Sequence, residues 1–286
     1  MSNTSILYIV ATPIGNLEDI TLRALRILKE VDLIVCEDTR QTLKLLNHYN
    51  IAKPLVSYFQ HSKLVKIDYI FAQLTQGKNI ALVTDAGTPG ISDPGGKLID
   101  RLFSLSADHS VNLLVKQLGN EKPARGNTQS SPVKLKRRDE LKVVPVPGPN
   151  AAIAALSVSG LPADKFIFMG FPPHKKGRQK FFEEIVKAKY TVVFYESTHR
   201  ILKTLNQLAA LLSATQNSLK QSRDQEPAPA KIAGRSLSGS NNRRQIVVCR
   251  ELTKRFESIY RGSPEEIVKI LTSDNYNLKG EFVIVL

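Results

Sequence analysis

A stretch rich in glycine and proline, residues 84–96, carries residue types that could hold a small molecule. It reads T-D-A-G-T-P-G-I-S-D-P-G-G and directly follows the apolar run 80–83. Four glycines and two prolines within these thirteen residues indicate a tightly turned loop, because glycine permits positive φ and proline fixes φ. Asp85 would then stand at the carboxyl end of a strand, where open α/β sheets place their ligand contacts. The alternative, from these residues alone, is an ordinary solvated turn.

Three other short apolar runs also lead straight into turn-forming or polar residues. These transitions are 6–11 into T-P-I-G-N (12–16), 33–36 into E-D-T-R (37–40) and 143–146 into P-G-P-N (147–150). Each one reads as a strand whose carboxyl end feeds a ligand-side loop. The helix that follows residue 150 would offer the unpaired N–H groups of its first turn to an acceptor.

Helical patterns separate these runs and would position the loops. Leu22, Leu25 and Leu28 predict one apolar stripe, with Asp19 or Thr21 as the helix cap. The alternation of strand and helix predicts an N-terminal α/β domain with a mainly parallel sheet. Further elements follow it, and they predict a C-terminal α/β domain with a mixed sheet: helices 151–159, 178–188, 201–212 and 264–271, and strands 166–169, 191–195, 246–251, 256–260 and 282–285.

Length and composition bound the remaining possibilities. The chain has 286 residues, of which 42% are hydrophobic, and this predicts two domains, 1–146 and 147–286. No apolar run approaches the roughly 20 residues of a membrane span, and the N-terminus lacks a signal-peptide layout, so we expect a cytoplasmic protein without a membrane partner. The two cysteines, Cys36 and Cys249, lie in apolar runs and predict buried thiols rather than a metal site or a disulfide.

The positive charge is concentrated in two segments. The net charge is +14; residues 116–142 hold eight Lys or Arg against three Asp or Glu, and residues 213–245 hold six against two. With little periodicity and many small polar residues, both segments read as basic surface insertions at about 108–141 and 214–244. Solvated loops and RNA-contacting arms are both open interpretations, although the absence of aromatics argues against base stacking.

Eight motifs in order along the chain resemble the ribosomal RNA methyltransferases of the tetrapyrrole methylase superfamily. They are T-P-I-G-N-L (12–17), E-D-T-R (37–40), T-D-A-G-T-P-G-I-S-D-P-G (84–95), P-G-P-N-A-A (147–152), G-F (170–171), F-Y-E-S-T-H-R (194–200), R-E-L-T-K (250–254) and K-G-E-F-V (279–283). The resemblance implies methyl transfer from S-adenosylmethionine to the ribose 2′-hydroxyl of a cytidine in the decoding region of 16S ribosomal RNA. It also implies a homodimer of two-domain α/β subunits with the cofactor in a cleft between the domains.

The same resemblance implies cofactor contacts at matching positions. These are Pro13, Gly15, Asp85, Gly87, Thr88, Asn150, Ala151, Ala152, Gly170, Phe171 and Tyr195. Glycines admit the backbone of a ligand-binding loop, a carboxylate can pair with an ammonium or hydroxyl group, and small residues make room for adenine. Phe171 and Tyr195 have ordinary core packing as their alternative.

Methyl transfer to an alcohol also needs a proton acceptor, which the sequence does not single out. The candidates follow strand ends: Glu37, Asp38, Glu196 and His199. His199 has the most suitable intrinsic pKa, with helix capping as its alternative. Arg40 or Arg200 could hold an RNA phosphate, and Lys254 could contact RNA or solvate a strand edge.

Three other interpretations compete with this function. A relative in the same superfamily could methylate a corrin precursor or a modified histidine on a translation factor. A catalytically silent RNA-binding or ribosome assembly protein would share the basic surface but would have no need of the glycine-rich loops. A phosphate-binding loop enzyme is excluded, because residues 84–96 lack the G-K-[ST] ending.

Overall fold

The computed structural model describes residues 5–59, 64–107, 141–223 and 245–286, with the side chains of 106–107 and 216–223 left undescribed. The contacts divide the chain into a first unit of residues 1–150 and a second unit of residues 151–286. Most of the two predicted basic insertions, 108–141 and 214–244, lies outside the described residues.

A five-stranded parallel sheet forms the middle of the first unit, with the strand order β3-β2-β4-β1-β5. The strands are β1 (Ser5–Val10), β2 (Leu33–Cys36), β3 (Leu55–Ser57), β4 (Ile80–Leu82) and β5 (Leu141–Val146). The mainly parallel N-terminal sheet predicted from the sequence is thereby confirmed.

Helices cover both faces of this sheet. They are α1 (Leu22–Glu30), α2 (Thr39–His48), α3 (Leu64–Thr75) and α4 (Gly95–Ala107). Val10 and Ile34 pack with buried residues of α1 and α2, whereas Leu7 and Val35 pack with those of α3 and α4. Because side chains alternate along a strand, these two clusters lie on opposite faces, as is usual for a parallel sheet.

The apolar stripe predicted for α1 is partly wrong. Leu22 is 86% exposed, and the helix buries Ala24, Ile27 and Leu28 instead. Leu22 is the first residue of the helix. At the helical rotation of about 100° per residue, its direction differs by roughly 160° from that of Ala24 and by roughly 140° from that of Ile27. The predicted cap Thr21 is confirmed, since its hydroxyl accepts the Ala24 N–H at 3.0 Å.

The second unit contains a mixed sheet with the order β6-β7-β10-β8-β9, as predicted. Among the described strands of this unit, β6 and β7 pair in parallel, and the other neighbours pair antiparallel. The strands are β6 (Phe166–Phe168), β7 (Thr191–Glu196), β8 (Ile246–Arg250), β9 (Ser258–Gly262) and β10 (Phe282–Val285). The helices are α5 (Ala151–Ser159), α6 (Arg178–Lys187), α7 (Ile201–Arg223) and α8 (Pro264–Thr272).

Helix α7 is longer than the predicted span 201–212 and continues to Arg223. Among the residues of this helix whose side chains are described, Leu212 is the last buried apolar one, and the predicted apolar pattern ends at the same residue. Residues 213–223 contain no Gly or Pro, so nothing in the backbone ends the helix at that point. None of the helices in the described ranges is long and apolar enough to span a bilayer.

Candidate functional site

The loops after β1 and β4 are joined by a backbone bridge at the carboxyl edge of the parallel sheet. The Thr12 N–H donates to the Gly87 carbonyl at 2.9 Å, and the Gly87 N–H donates back to the Thr12 carbonyl at 3.1 Å. The buried Thr12 hydroxyl also donates to the Thr84 carbonyl at 3.1 Å. Next to Thr12, Pro13 is buried, whereas Gly15 is exposed. The structure therefore places the loop that carries Pro13 and Gly15 against the glycine-rich loop.

The loop after β5 is fastened to the same edge. The Thr88 hydroxyl donates to the Pro149 carbonyl at 3.0 Å. Gly148 lies so close to β1 that a Cβ on it would stand 2.9 Å from the Ala11 Cβ, which is shorter than real Cβ contacts. Asn150 follows directly in this loop. Three of the predicted cofactor loops are thus held side by side within the first unit.

The interior of the glycine-rich loop is shaped by Gly87 and Asp93. Gly87 has a φ of 86°, a conformation that L side chains rarely adopt. The Asp93 carboxylate accepts the N–H groups of Gly90 at 2.8 Å and Gly95 at 2.7 Å, and so fixes the loop where α4 begins. Our sequence reasoning missed Asp93, although an Asp followed by Pro-Gly at the start of a helix is a capping signal.

Carboxylates from the ends of β2 and β4 meet at this edge. The Asp85 Oδ1 accepts the backbone N–H of Asp38 at 3.0 Å, and the Glu37 Oε2 accepts the Thr84 hydroxyl at 3.3 Å. Burial, followed by the negative charge of Asp85, raises the pKa of Glu37 above its ordinary value. Burial also raises the pKa of Asp85, against the lowering effect of the Asp38 N–H. This edge can therefore attract a cation or take up a proton.

Asp38 differs from these two carboxylates because it caps α2. It accepts the Arg40 N–H at 2.8 Å, and the Arg40 guanidinium lies 2.7 Å from its Oδ2. Hydrogen bonds from Arg40 lower the pKa of Asp38 to about 2. A carboxylate with so low a pKa is a weak proton acceptor, so the geometry favours a capping role. The Arg40 side chain remains 85% exposed.

The predicted cofactor residues of the second unit also lie together. The Tyr195 N–H donates to the Gly170 carbonyl at 2.8 Å, and the Phe171 and Tyr195 ring centroids are 5.3 Å apart. Burial raises the pKa of Tyr195, and a hydrogen bond from the Ala152 backbone opposes this rise. The Tyr195 hydroxyl thus meets the first turn of α5, where Ala151 and Ala152 lie. Phe171 is 53% exposed, so it is not an ordinary core aromatic.

Glu196, at the end of β7, is buried in an ion-pair cluster. Its Oε1 lies 2.9 Å from the Arg200 Nε and accepts the Ser197 N–H at 2.8 Å, and its Oε2 lies 3.6 Å from an Arg178 nitrogen. Its side chain is 0% exposed, and both oxygens are engaged. This favours a structural role for Glu196 and occupies Arg200, the candidate phosphate contact. His199 is exposed in the turn before α7.

Lys254 is held between the carboxylates of Glu251 at 2.9 Å and Glu281 at 2.8 Å. Its loop is strained, since Glu251 has a φ of 50° and Thr253 a φ of 65°. Backbone strain of this kind clusters at functional sites. The structure thus fixes the position of Lys254 and leaves its contact with RNA a prediction.

Thiols and metal ligands are the remaining groups that could carry chemistry. Cys36 and Cys249 are buried free thiols, as predicted. Within the part of the chain that the structure describes, no group of three or more His, Cys, Asp or Glu side chains could hold a metal ion.

Comparison with known sequences gives matches along nearly the whole chain. A family model described as Tetrapyrrole (Corrin/Porphyrin) Methylases matches residues 6–113 and 132–268. Relatives that carry the name "Ribosomal RNA small subunit methyltransferase I" include proteins from three distant bacteria. The relative from Halalkalibacterium halodurans is 39% identical, with 98% of this chain and 75% of the relative covered. The one from Bacillus subtilis is 36% identical, with 100% and 76% covered, and the one from Thermotoga maritima is 34% identical, with 98% and 97% covered.

Comparison with solved structures gives more distant likenesses. Cobalt precorrin-4 methyltransferase, a cobalamin biosynthetic enzyme, matches with a TM-score of 0.55 at 15% identity, covering 99% of this chain and 95% of that one. A diphthine synthase matches with a TM-score of 0.54 at 13% identity, covering 99% and 90%. At these identities the matches show a shared fold.

Proposed function

The chain belongs to the tetrapyrrole (corrin/porphyrin) methylase family, and from this premise we propose that it methylates the ribose 2′-hydroxyl of a cytidine in the decoding region of 16S ribosomal RNA. S-adenosylmethionine is the methyl donor of this family. The observation that carries the choice of substrate is the shared name of relatives at 34% to 39% identity over nearly the full chain. The cytidine, its 2′-hydroxyl and the decoding region are the finer part of the proposal.

The described residues fit a ligand with the charges of S-adenosylmethionine. Asp85 and Glu37 supply negative charge that suits its ammonium and sulfonium groups. The positive φ of Gly87 permits the tight turn of the loop that carries Asp85, and the exposed ring of Phe171 offers an apolar face. We assign the cofactor contacts to Pro13, Gly15, Asp85, Gly87, Thr88, Asn150, Ala151, Ala152, Gly170, Phe171 and Tyr195.

The reaction asks the protein to align a hydroxyl, exclude water and accept one proton. When bound, S-adenosylmethionine supplies an activated methyl group. We assign the proton to Glu37, because burial raises its pKa above the ordinary value and its Oε2 accepts a long hydrogen bond of 3.3 Å from the Thr84 hydroxyl. His199 is the second candidate, since it is exposed and has a suitable intrinsic pKa.

Arg40 is the candidate contact for an RNA phosphate that the structure supports best. Its side chain is 85% exposed, against 16% for Arg200 and 29% for Lys254. Arg200 is already held by the buried carboxylate of Glu196 and would have to break that pair before it could bind a phosphate. We further propose, from the family resemblance, that the enzyme works as a homodimer in the cytoplasm.

Methyl transfer to small ribosomal subunits lacking this modification tests the proposal. Labelled S-adenosylmethionine would be supplied, the RNA digested to nucleosides, and the product identified by mass spectrometry. The proposal expects 2′-O-methylcytidine from the decoding region and loss of product in Asp85→Ala. Label in a base or in protein would contradict the substrate.

Calorimetry with S-adenosylmethionine separates the other interpretations. Binding without transfer to any form of 16S RNA would favour a corrin precursor or a modified histidine as the methyl acceptor. Well-folded protein that binds small subunits but not S-adenosylmethionine would favour a silent RNA-binding or assembly protein.

A further inference from the structure

We propose that Glu196 is a positioning residue that acts through Arg178 and Arg200 to hold the loop after β6, residues 170–173. This inference rests on the proposed function, since the loop carries two of the proposed cofactor contacts. It replaces the roles predicted from sequence, in which Glu196 accepted a proton and Arg200 bound RNA.

Glu196 is the centre of a buried hydrogen-bonded cluster. Its Oε1 lies 2.9 Å from the Arg200 Nε, and its Oε2 accepts the Thr204 hydroxyl at 2.5 Å. An Arg178 Nη donates to the same Thr204 oxygen at 2.6 Å and lies 3.6 Å from the Glu196 Oε2. The exposed fractions of the Glu196, Arg178 and Arg200 side chains are 0%, 6% and 16%. Each guanidinium is therefore held in one orientation.

The two arginines reach from this cluster to consecutive carbonyls of the loop. Arg200 donates to the Pro172 carbonyl at 2.9 Å, and Arg178 donates to the Pro173 carbonyl at 3.3 Å. Because proline has no N–H, this part of the loop has no donors of its own with which to join a strand. The guanidinium groups serve as its anchors.

The other end of the loop is anchored by the residue that precedes Glu196. The Tyr195 N–H donates to the Gly170 carbonyl at 2.8 Å. Phe171 lies between the two anchors, with its ring 5.3 Å from that of Tyr195. Two successive residues of β7 thus fix both ends of the segment that presents the exposed Phe171 ring.

Stability alone is a weak explanation for this cluster. Buried ion pairs are often no more stabilising than apolar residues of similar size. Within the described residues, the Arg178 Nε is a buried donor without a hydrogen-bond partner, which costs stability. The cluster keeps this unpaired donor and still directs both arginines at the loop. Holding the loop in position therefore explains the cluster better than stability does.

Arg200→Lys is the sharpest test. Lysine keeps a positive charge beside Glu196, but one ammonium on a flexible stem cannot reproduce the fixed fork that reaches both Glu196 and the Pro172 carbonyl. We expect the dissociation constant and KM for S-adenosylmethionine to rise about tenfold, the loss expected for one charged hydrogen bond. We expect kcat at saturating cofactor and the KM for RNA to stay within about threefold, a difference of less than one such bond. Glu196→Gln should shift the same constants further, and it is expected to destabilise the second unit by leaving Arg178 unpaired.

Two further measurements make the result decisive. The control is a core variant at Ile267, which is 0% exposed and distant in sequence from the loop. Its substitution is chosen so that its melting temperature equals that of Arg200→Lys. Hydrogen exchange without cofactor reports on the loop directly, and Arg200→Lys should speed exchange in the peptide 166–175 more than the Ile267 control does.

The positioning role is overturned if exchange in this peptide and cofactor affinity change no more than in the control. If exchange responds but the wild-type protein binds no S-adenosylmethionine, the anchoring stands and the proposed function fails.

Discussion

Replacing Gly148 by alanine tests the packing that holds the loop after β5 against β1. The new Cβ would stand 2.9 Å from the Ala11 Cβ, whereas the Ala11 carbonyl oxygen is 3.6 Å away and makes an ordinary contact. Carbon atoms prefer separations of about 3.5–4.0 Å, so one of the two loops must move by about 0.6 Å or more. Overpacking a site in this way costs about 1–3 kcal/mol.

Ala11, whose Cβ the new methyl group would meet, provides a matched control. Ala11→Gly alone should cost about 0.5–1 kcal/mol from added backbone freedom, plus the loss of a buried methyl group worth about 0.8 kcal/mol. In Gly148→Ala with Ala11→Gly, the clash disappears, because among the described residues the next nearest atom to the new Cβ is 3.6 Å away. The double variant should therefore be about 1–3 kcal/mol more stable than the sum of the single changes.

Denaturant unfolding measures this coupling, and calorimetry with S-adenosylmethionine measures its consequence. Gly148→Ala should weaken cofactor binding, because the displaced loop carries Pro149, whose carbonyl accepts the Thr88 hydroxyl at 3.0 Å. The double variant should recover most of that affinity. Additive stability losses with no recovery of binding would refute the reasoning.

Other predictions address single side chains. Glu37→Gln should lower kcat about 10²- to 10⁴-fold. It should also raise the melting temperature at pH 7, because folding raises the pKa of this carboxyl and ionising it in the native state therefore costs stability. A lower melting temperature would contradict this reasoning. Asp38→Ala should destabilise α2 at neutral pH. Because folding lowers the pKa of the Asp38 carboxyl, the difference in stability between the variant and the wild type should vanish as the pH falls from 3.8 through about 2. Thermal melts of both proteins across that range measure this difference. Ser263→Ala removes the hydroxyl that accepts the Glu266 N–H at 3.3 Å and should cost about 0.5–2 kcal/mol, with cofactor affinity measured by calorimetry unchanged.

The loops of the site were predictable because their chemistry is local. A glycine at position 87 is compatible with the positive φ found there, and the unbroken apolar run before the loop indicates a strand. The parallel order of the strands then brings the loops to one edge of the sheet. Even the Thr12–Gly87 bridge follows from two loops that leave neighbouring strands.

The roles of charged residues were less predictable, since they depend on partners far along the chain. Glu196 stands beside Ser197 and His199 in a motif that reads as reactive, yet Arg178, 18 positions earlier, contributes to burying it. Asp38 and Glu37 are adjacent, but one caps a helix and has a pKa of about 2, whereas the pKa of the other is raised. No spacing rule in the sequence separates such neighbours.

The pairing of β1 with β5 constrains how the first unit is made. Val10 pairs with Val146, 136 positions later, so β1 cannot complete its hydrogen bonding until those residues have been synthesised. At about 5–20 residues per second, this takes about 7–27 s. During that time one edge of β1 has no strand beside it, and unpaired edges of this kind promote aggregation. Slow translation between β4 and β5 would lengthen this exposure, and the first unit should therefore be most vulnerable on the ribosome.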